Sequence, residues 1–223
     1  MSYTRYAIYY LPPRGALADF GARWLGWDVQ GGRRAPPPDL PGLDDVTMTP
    51  RKYGFHGTLK PPFRLAERMT AEDLGDAVAA LAEGCAPART RGLALSCLGG
   101  FLALTPVGDA AGIARVAARC VTGLDRFRAP PPPEELARRR KAGLSARQEA
   151  LLTRWGYPYV LDEFRFHLTL SGRLPEDRID HWRQVLQARL PDLPDPFTLD
   201  AVALVGERQD GHFETIHRYA LAG

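Results

Sequence analysis

One four-residue pattern occurs twice in this chain, 111 residues apart, and that repetition constrains the fold more than any other feature. His56-Gly57-Thr58-Leu59 and His167-Leu168-Thr169-Leu170 both read His-x-Thr-Leu. Each is followed by Arg-Leu, at Arg64-Leu65 and at Arg173-Leu174. Each sits in a stretch whose apolar residues alternate, as a half-buried strand requires. Leu93-Ala94-Leu95 and Val202-Ala203-Leu204 then fall at matching offsets, 39 residues from His56 to Leu95 and 37 from His167 to Leu204. From either histidine the order reads strand, helix, strand, hairpin. The repeat predicts an α+β protein of two pseudo-symmetric lobes, each with an antiparallel sheet and helices, around a central groove. The first-motif lobe spans about 12–124, the second about 163–223, and 125–162 is a helical insertion.

Local signals fill in the rest. Tyr3 to Leu11 reads as a strand stopped by Pro12-Pro13, and Ala16 to Trp27 as an amphipathic helix. Gly31 to Asp45, rich in Gly and Pro, reads as a loop, and Tyr53 to Phe63 as a strand. Thr70, with Asp73 three residues on, is an N-cap for a helix running to about Gly84. Gly99-Gly100 joins two apolar runs into a hairpin, and Ala110 to Leu124 is helical. The proline run Pro130 to Pro133 is stiff, and Glu134 to Trp155 makes one or two helices. Phe164 to Ser171 is a strand, Pro175 to Leu190 a helix, and a closing hairpin turns at Gln209-Asp210-Gly211.

Strand alternation sorts the chemistry. Phe164, Phe166, Leu168 and Leu170 make a core face, leaving Arg165, His167, Thr169 and Ser171 on the other. His56, Thr58 and Lys60 likewise project together, opposite Phe55 and Leu59. Two such strands can line a groove with two imidazoles and two hydroxyls. One imidazole takes a proton from water while the other gives one to a departing ribose oxygen, work that suits a side chain titrating near neutrality. Threonine hydroxyls donate to non-bridging phosphate oxygens, and Lys60 and Arg165 balance phosphate charge. The set suits cleavage of a cyclic phosphodiester. The residues do not say which histidine is the acid and which the base. Arg51 and Lys52, just before the first motif, are candidates for a second phosphate, with plain solvation as the alternative. Tyr6 and Tyr10 share a face of the first strand and either border the groove or pack in the core. His181, His212 and His217 have no matching partners, and Arg138-Arg139-Arg140-Lys141 reads as a solvated helix face that also suits a lid.

Composition narrows the function classes. With 223 residues the chain buries a substantial core, and a net charge of +3 is too small to argue for nucleic-acid binding by bulk electrostatics. Long RNA substrates would need a more basic surface and more stacking platforms. Cys85, Cys97 and Cys120 show no metal spacing and read as thiols of a reducing compartment. The five-residue apolar run before Pro12 is too short for a signal peptide or a membrane span, so the expected location is cytoplasmic.

The segment Arg51-Lys52-Tyr53-Gly54-Phe55-His56-Gly57-Thr58-Leu59-Lys60-Pro61-Pro62-Phe63 resembles the signature of a subgroup of the two-histidine (2H) phosphoesterases, and Phe164 to Leu170 is similar to its second motif. That subgroup is a domain found with carbon–phosphorus lyase genes for phosphonate breakdown. Gly57 departs from the pattern, which has alanine there, and lies on the face away from the chemistry. The resemblance implies a bilobal fold, His56 and His167 as acid–base pair, Thr58 and Thr169 as phosphate ligands, and neither metal nor cofactor. It implies a small phosphorylated cyclic sugar as substrate, 5-phosphoribosyl 1,2-cyclic phosphate. A cyclic nucleotide is the other small substrate open to it. Two alternatives stay open: an enzyme acting on RNA 2′,3′-cyclic ends or 2′-5′ linkages, and a module that only binds phosphate or RNA.

Overall fold

The computed structural model describes residues 2–223. Seven strands form one antiparallel sheet: β1 (Tyr6–Tyr10), β4 (Gly57–Phe63), β6 (Gly92–Leu98), β7 (Phe101–Val107), β8 (Leu168–Thr169), β10 (Ala201–Glu207) and β11 (Phe213–Ala220). Their order is β11-β10-β1-β4-β8-β7-β6. Short strands β2 (Trp27–Asp28) and β3 (Arg33–Arg34) pair with each other, as do β5 (Ala88–Thr90) and β9 (Phe197–Leu199). The helices are α1 (Ala16–Leu25), α2 (Leu43–Arg51), α3 (Ala71–Glu83), α4 (Ala111–Gly123), α5 (Pro133–Arg140), α6 (Ala146–Trp155) and α7 (Glu176–Gln187).

The internal repeat is visible: β4-α3-β5-β6-β7 is matched by β8-α7-β9-β10-β11. The sheet nevertheless exchanges the hairpins. The first repeat's β6–β7 hairpin lies beside β8, while the second repeat's β10–β11 hairpin joins β4 through β1. Each half of the sheet therefore draws on both stretches, 12–124 and 163–223, and the halves meet where β4 bridges β8 at Gly57↔Leu168.

The two faces of the sheet are chemically distinct. Ile8, Leu59, Leu102, Leu104, Leu168, Leu170, Val202 and Leu204 enter the main core with Leu74, Val78 and Leu81 of α3 and Ile113 and Val116 of α4. A smaller cluster on the other face gathers Ala7, Tyr9, Leu11, Trp27, Val29, Ala203, Val205 and Phe213. Burying such side chains stabilises by about 1.5–3 kcal/mol each.

Several expectations are adjusted. Leu43 to Arg51 is helical where the Gly/Pro-rich composition predicted a loop as far as Asp45, and Pro50 sits in its last turn. Phe164 to Ser171 contributes only Leu168–Thr169 to the sheet. Thr70 caps α3 as read, its hydroxyl accepting from the Asp73 amide while the Asp73 carboxylate accepts from Thr70. The insertion resolves into α5 and α6. Among the described residues no helix is long and apolar enough to cross a membrane.

Candidate active site

The Gly57↔Leu168 bridge fixes the geometry. Continued one residue each way, the antiparallel register sets His56 opposite Thr169 and Thr58 opposite His167. Leu168 points into the main core, so these four side chains share the opposite face. Residues directly opposite on such a pair have Cβ atoms about 4.5–5.5 Å apart, and diagonal neighbours, as His56 and His167 are, about 7–8 Å.

Gly54, at φ 72, turns the chain into β4, in a left-handed conformation and with Val29 crowding the place of a side chain. Its carbonyl lies 2.9 Å from His56 Nδ1. The Arg165 carbonyl lies 2.7 Å from His167 Nδ1. A carbonyl only accepts, so each Nδ1 carries the proton and each Nε2 is left for chemistry. His56 Nε2 is 2.9 Å from Thr58 Oγ1, which donates to it in this tautomer. His56 is buried and stacks on Tyr9, with ring centroids 3.7 Å apart and planes 21° apart. Burial, and secondarily the charge of His167, push its pKa down to about 4. His167 is half-buried beside the Phe101 ring at 5.4 Å, and burial lowers its pKa too.

Of the other candidates, Lys52 and Arg165 stay close to the motifs. Lys52 is exposed, its Nζ 5.2 Å from the Tyr53 ring, and Tyr53 in turn lies 6.4 Å from His56. Arg165 is exposed and lines a cleft with Leu98, Thr105 and Phe164.

Four residues are corrected. Lys60 is only 2% exposed, donates to the Val121 carbonyl at 3.0 Å, and sits 3.9 Å from Asp125. The cause is a bulge: the β1–β4 register shifts between Tyr9↔Thr58 and Ile8↔Lys60, turning Lys60 to the core side with Ile8. Desolvation lowers its pKa to about 8. Ser171 is buried past the end of β8, accepting from the Leu102 amide and donating to the Gly172 carbonyl. Arg51 is held on α2 by Asp44 at 2.5 Å, Thr47 at 3.1 Å and the Leu25 carbonyl at 3.0 Å. Tyr6 packs in the main core, as does Tyr10. The tyrosine beside His56 is Tyr9, out of phase with both. Strand alternation separates Tyr9 from Tyr6 and Tyr10, but only the pairing of Tyr9 with Thr58 shows which face meets His56.

Among the described residues no three His, Cys, Asp or Glu side chains cluster as a metal site would need. The paired His-x-Thr segments thus face the same side of the antiparallel sheet. The chain belongs to the family described as a protein of unknown function (DUF1045), which matches residues 58–214. It is 41% identical over 179 residues to the ribose 1,5-bisphosphate phosphokinase PhnN of Janthinobacterium sp. (strain Marseille), covering 78% of this chain and 40% of that protein. It is 37% identical over 183 residues to the protein of the same name from Laribacter hongkongensis (strain HLHK9), covering 80% and 42%. The chain thus spans about two-fifths of the length of these curated relatives. Among solved structures, it aligns over the whole of both chains with a phosphoesterase (14% identity, TM-score 0.43) and with E. coli LigT complexed with 3′-AMP (14%, 0.45).

Proposed function

We propose that this protein is a metal-independent cyclic phosphodiesterase that opens 5-phosphoribosyl 1,2-cyclic phosphate. The observation that carries the reading is the crossed pairing of His56 with Thr169 and Thr58 with His167, each imidazole oriented through Nδ1 by a carbonyl. His56, kept neutral by burial, is the base, and half-buried His167 is the acid. Thr58 turns from His56 Nε2 to a non-bridging phosphate oxygen as Thr169 binds another. His56 Nε2 then takes a proton from water while the water oxygen attacks phosphorus. The bond from phosphorus to the sugar O2 breaks, and O2 takes the proton from His167 Nε2. The bound phosphate's negative charge favours the protonated His167 that this step needs. One water is consumed and the product is ribose 1,5-bisphosphate.

That product supports the substrate choice, because the two curated relatives, each more than twice as long as the matched region, are named for a kinase of ribose 1,5-bisphosphate. A cyclic phosphodiesterase and that kinase would act in succession. Three unpaired thiols fit a cytoplasmic setting for the reaction. The test compares kcat/KM for the phosphorylated cyclic sugar, its 5-hydroxyl analogue and nucleoside 2′,3′-cyclic phosphates. The first should lead its analogue by about ten- to a hundredfold, the scale of one or two charge-assisted contacts. A clear preference for cyclic nucleotides or RNA ends would overturn the substrate while leaving the two-histidine chemistry in place.

A further inference from the structure

Past His167 the catalytic face of the sheet continues across two more strands. Leu104 pairs with Leu168 and both enter the main core, so the next residue, Thr105, stands opposite His167 on the catalytic face. Ala103, opposite Thr169, shares that face. The β6–β7 register carries the two rows outward, to Ala94 beside Thr105 and to Ser96 beside Ala103. Ser96 Oγ lies 2.7 Å from Thr105 Oγ1, and both side chains are half-buried. Alanines at 94 and 103 keep the floor low around this hydroxyl pair. A cleft of about 320 Å³ opens here, with Leu98, Thr105, Phe164 and the exposed Arg165 in its lining. That volume is within the range of small-ligand sites.

The side of His56 is closed by contrast. Tyr9, wholly buried, stacks on the imidazole at 3.7 Å and is backed by Phe213, which is also wholly buried. Chemistry then decides where the sugar goes. In an in-line displacement at phosphorus the attacking and leaving oxygens stand on opposite sides. His56 as the base holds the water, and His167 as the acid meets the departing O2. The sugar carbon bonded to O2, and the ring with it, therefore lies on the His167 side of phosphorus.

We infer that the sugar of the substrate lies over β7 and β6, with a ring hydroxyl on the Ser96–Thr105 pair and the non-cyclic phosphate on Arg165. This rests on the proposed function and adds to it the direction of the substrate in the groove and a role for Ser96 and Thr105. Each hydroxyl both donates and accepts, so after their mutual bond the pair still has one O–H and free lone pairs for a sugar hydroxyl. The planar guanidinium of Arg165 matches phosphate in a two-pronged contact. Lys52, over Tyr53 on the His56 side, takes no part in reading the second phosphate.

The test is calorimetric titration with ribose 1,5-bisphosphate and with ribose 1-phosphate, which needs no turnover. The wild type should bind the bisphosphate at least about tenfold tighter, and Arg165→Ala should abolish that ratio. Arg165→Lys, which keeps the charge but not the planar fork, should retain part of it. Lys52→Ala should leave the ratio intact. Thr105→Val, close in volume but without the hydroxyl, should weaken both ligands alike by about fivefold, the scale of one hydrogen bond. No preference in the wild type, a ratio kept by Arg165→Ala or one lost in Lys52→Ala would overturn the direction of the sugar. Binding unchanged by Thr105→Val would overturn the hydroxyl contact. Turnover of the cyclic sugar is scored separately. If the wild type opens it and Arg165→Ala keeps the binding ratio, only the placement of the sugar is wrong. If Arg165→Ala loses the ratio and the wild type fails to open the cyclic sugar, only the proposed reaction is wrong.

Discussion

Gly57→Ala tests how the second histidine is held. A Cβ at residue 57 would lie 2.5 Å from Phe166 Cε2, 2.7 Å from Cζ and 3.3 Å from Cδ2, distances that van der Waals contact forbids. Phe166 has little room to retreat, since it is 5% exposed and packs against Tyr10 at 5.8 Å and Phe197 at 5.7 Å. Overpacking of this kind costs about 1–3 kcal/mol. Gly57 does not occupy the left-handed region, so alanine regains about 0.4–1 kcal/mol through the unfolded chain. The net loss is about 1–2 kcal/mol, or roughly 2–8 °C in Tm for a chain of this size. Phe166 is the residue before His167, so the displaced ring also moves the imidazole, and kcat should fall with stability. Thermal denaturation and steady-state kinetics read the two effects. Phe166→Leu in the Gly57→Ala background should recover part of both, in a double-mutant cycle with clear coupling. A Gly57→Ala protein as stable and as active as wild type would refute the packing argument.

Four further outcomes follow from the site. The base must be neutral and the acid protonated, so kcat/KM should be bell-shaped with its maximum on the acid side, between about pH 4 and 6.5, set by the lowered values of the coupled pair; an optimum above pH 8 would contradict this. Lys60→Met should leave kcat/KM within about twofold of wild type, because Lys60 faces the core. Wild-type stability should rise with pH between about 8 and 10.5, where the unfolded chain binds the proton that buried Lys60 has released, and Lys60→Met should remove that slope. Overnight EDTA treatment should leave turnover unchanged; activity lost to the chelator and restored by zinc or manganese would contradict the two-histidine mechanism.

The sequence made the repeat, the α+β class and the two motif strands legible because hydrophobic alternation and turn chemistry are local signals. Thr70 and Asp73 were read as a cap for the same reason. What was not legible depends on partners distant in the chain. Lys60 was assigned to the groove by alternation, and a bulge set by pairing with Tyr9 and Ile8 turned it inward. Tyr6 and Tyr10 were the tyrosines considered for the groove, and nothing in β1 alone says that the other face, with Tyr9, meets His56. Ser171 follows a strand that ends at Thr169, so the period of two no longer governs it. Arg51 lies on a helix, Leu43–Arg51, whose start fell within the Gly/Pro-rich stretch read as a loop. The exchange of hairpins between the sheet halves is a matter of topology that no local pattern encodes.

The most direct measurement follows the opening of 5-phosphoribosyl 1,2-cyclic phosphate by phosphorus NMR, with wild-type, His56→Ala and His167→Ala proteins. The account predicts conversion of the cyclic phosphate to a monoester at C1 by the wild type, and a fall of about a hundredfold to ten-thousandfold in turnover for each variant, the scale of losing a general acid or base. Wild-type turnover by either variant would contradict it.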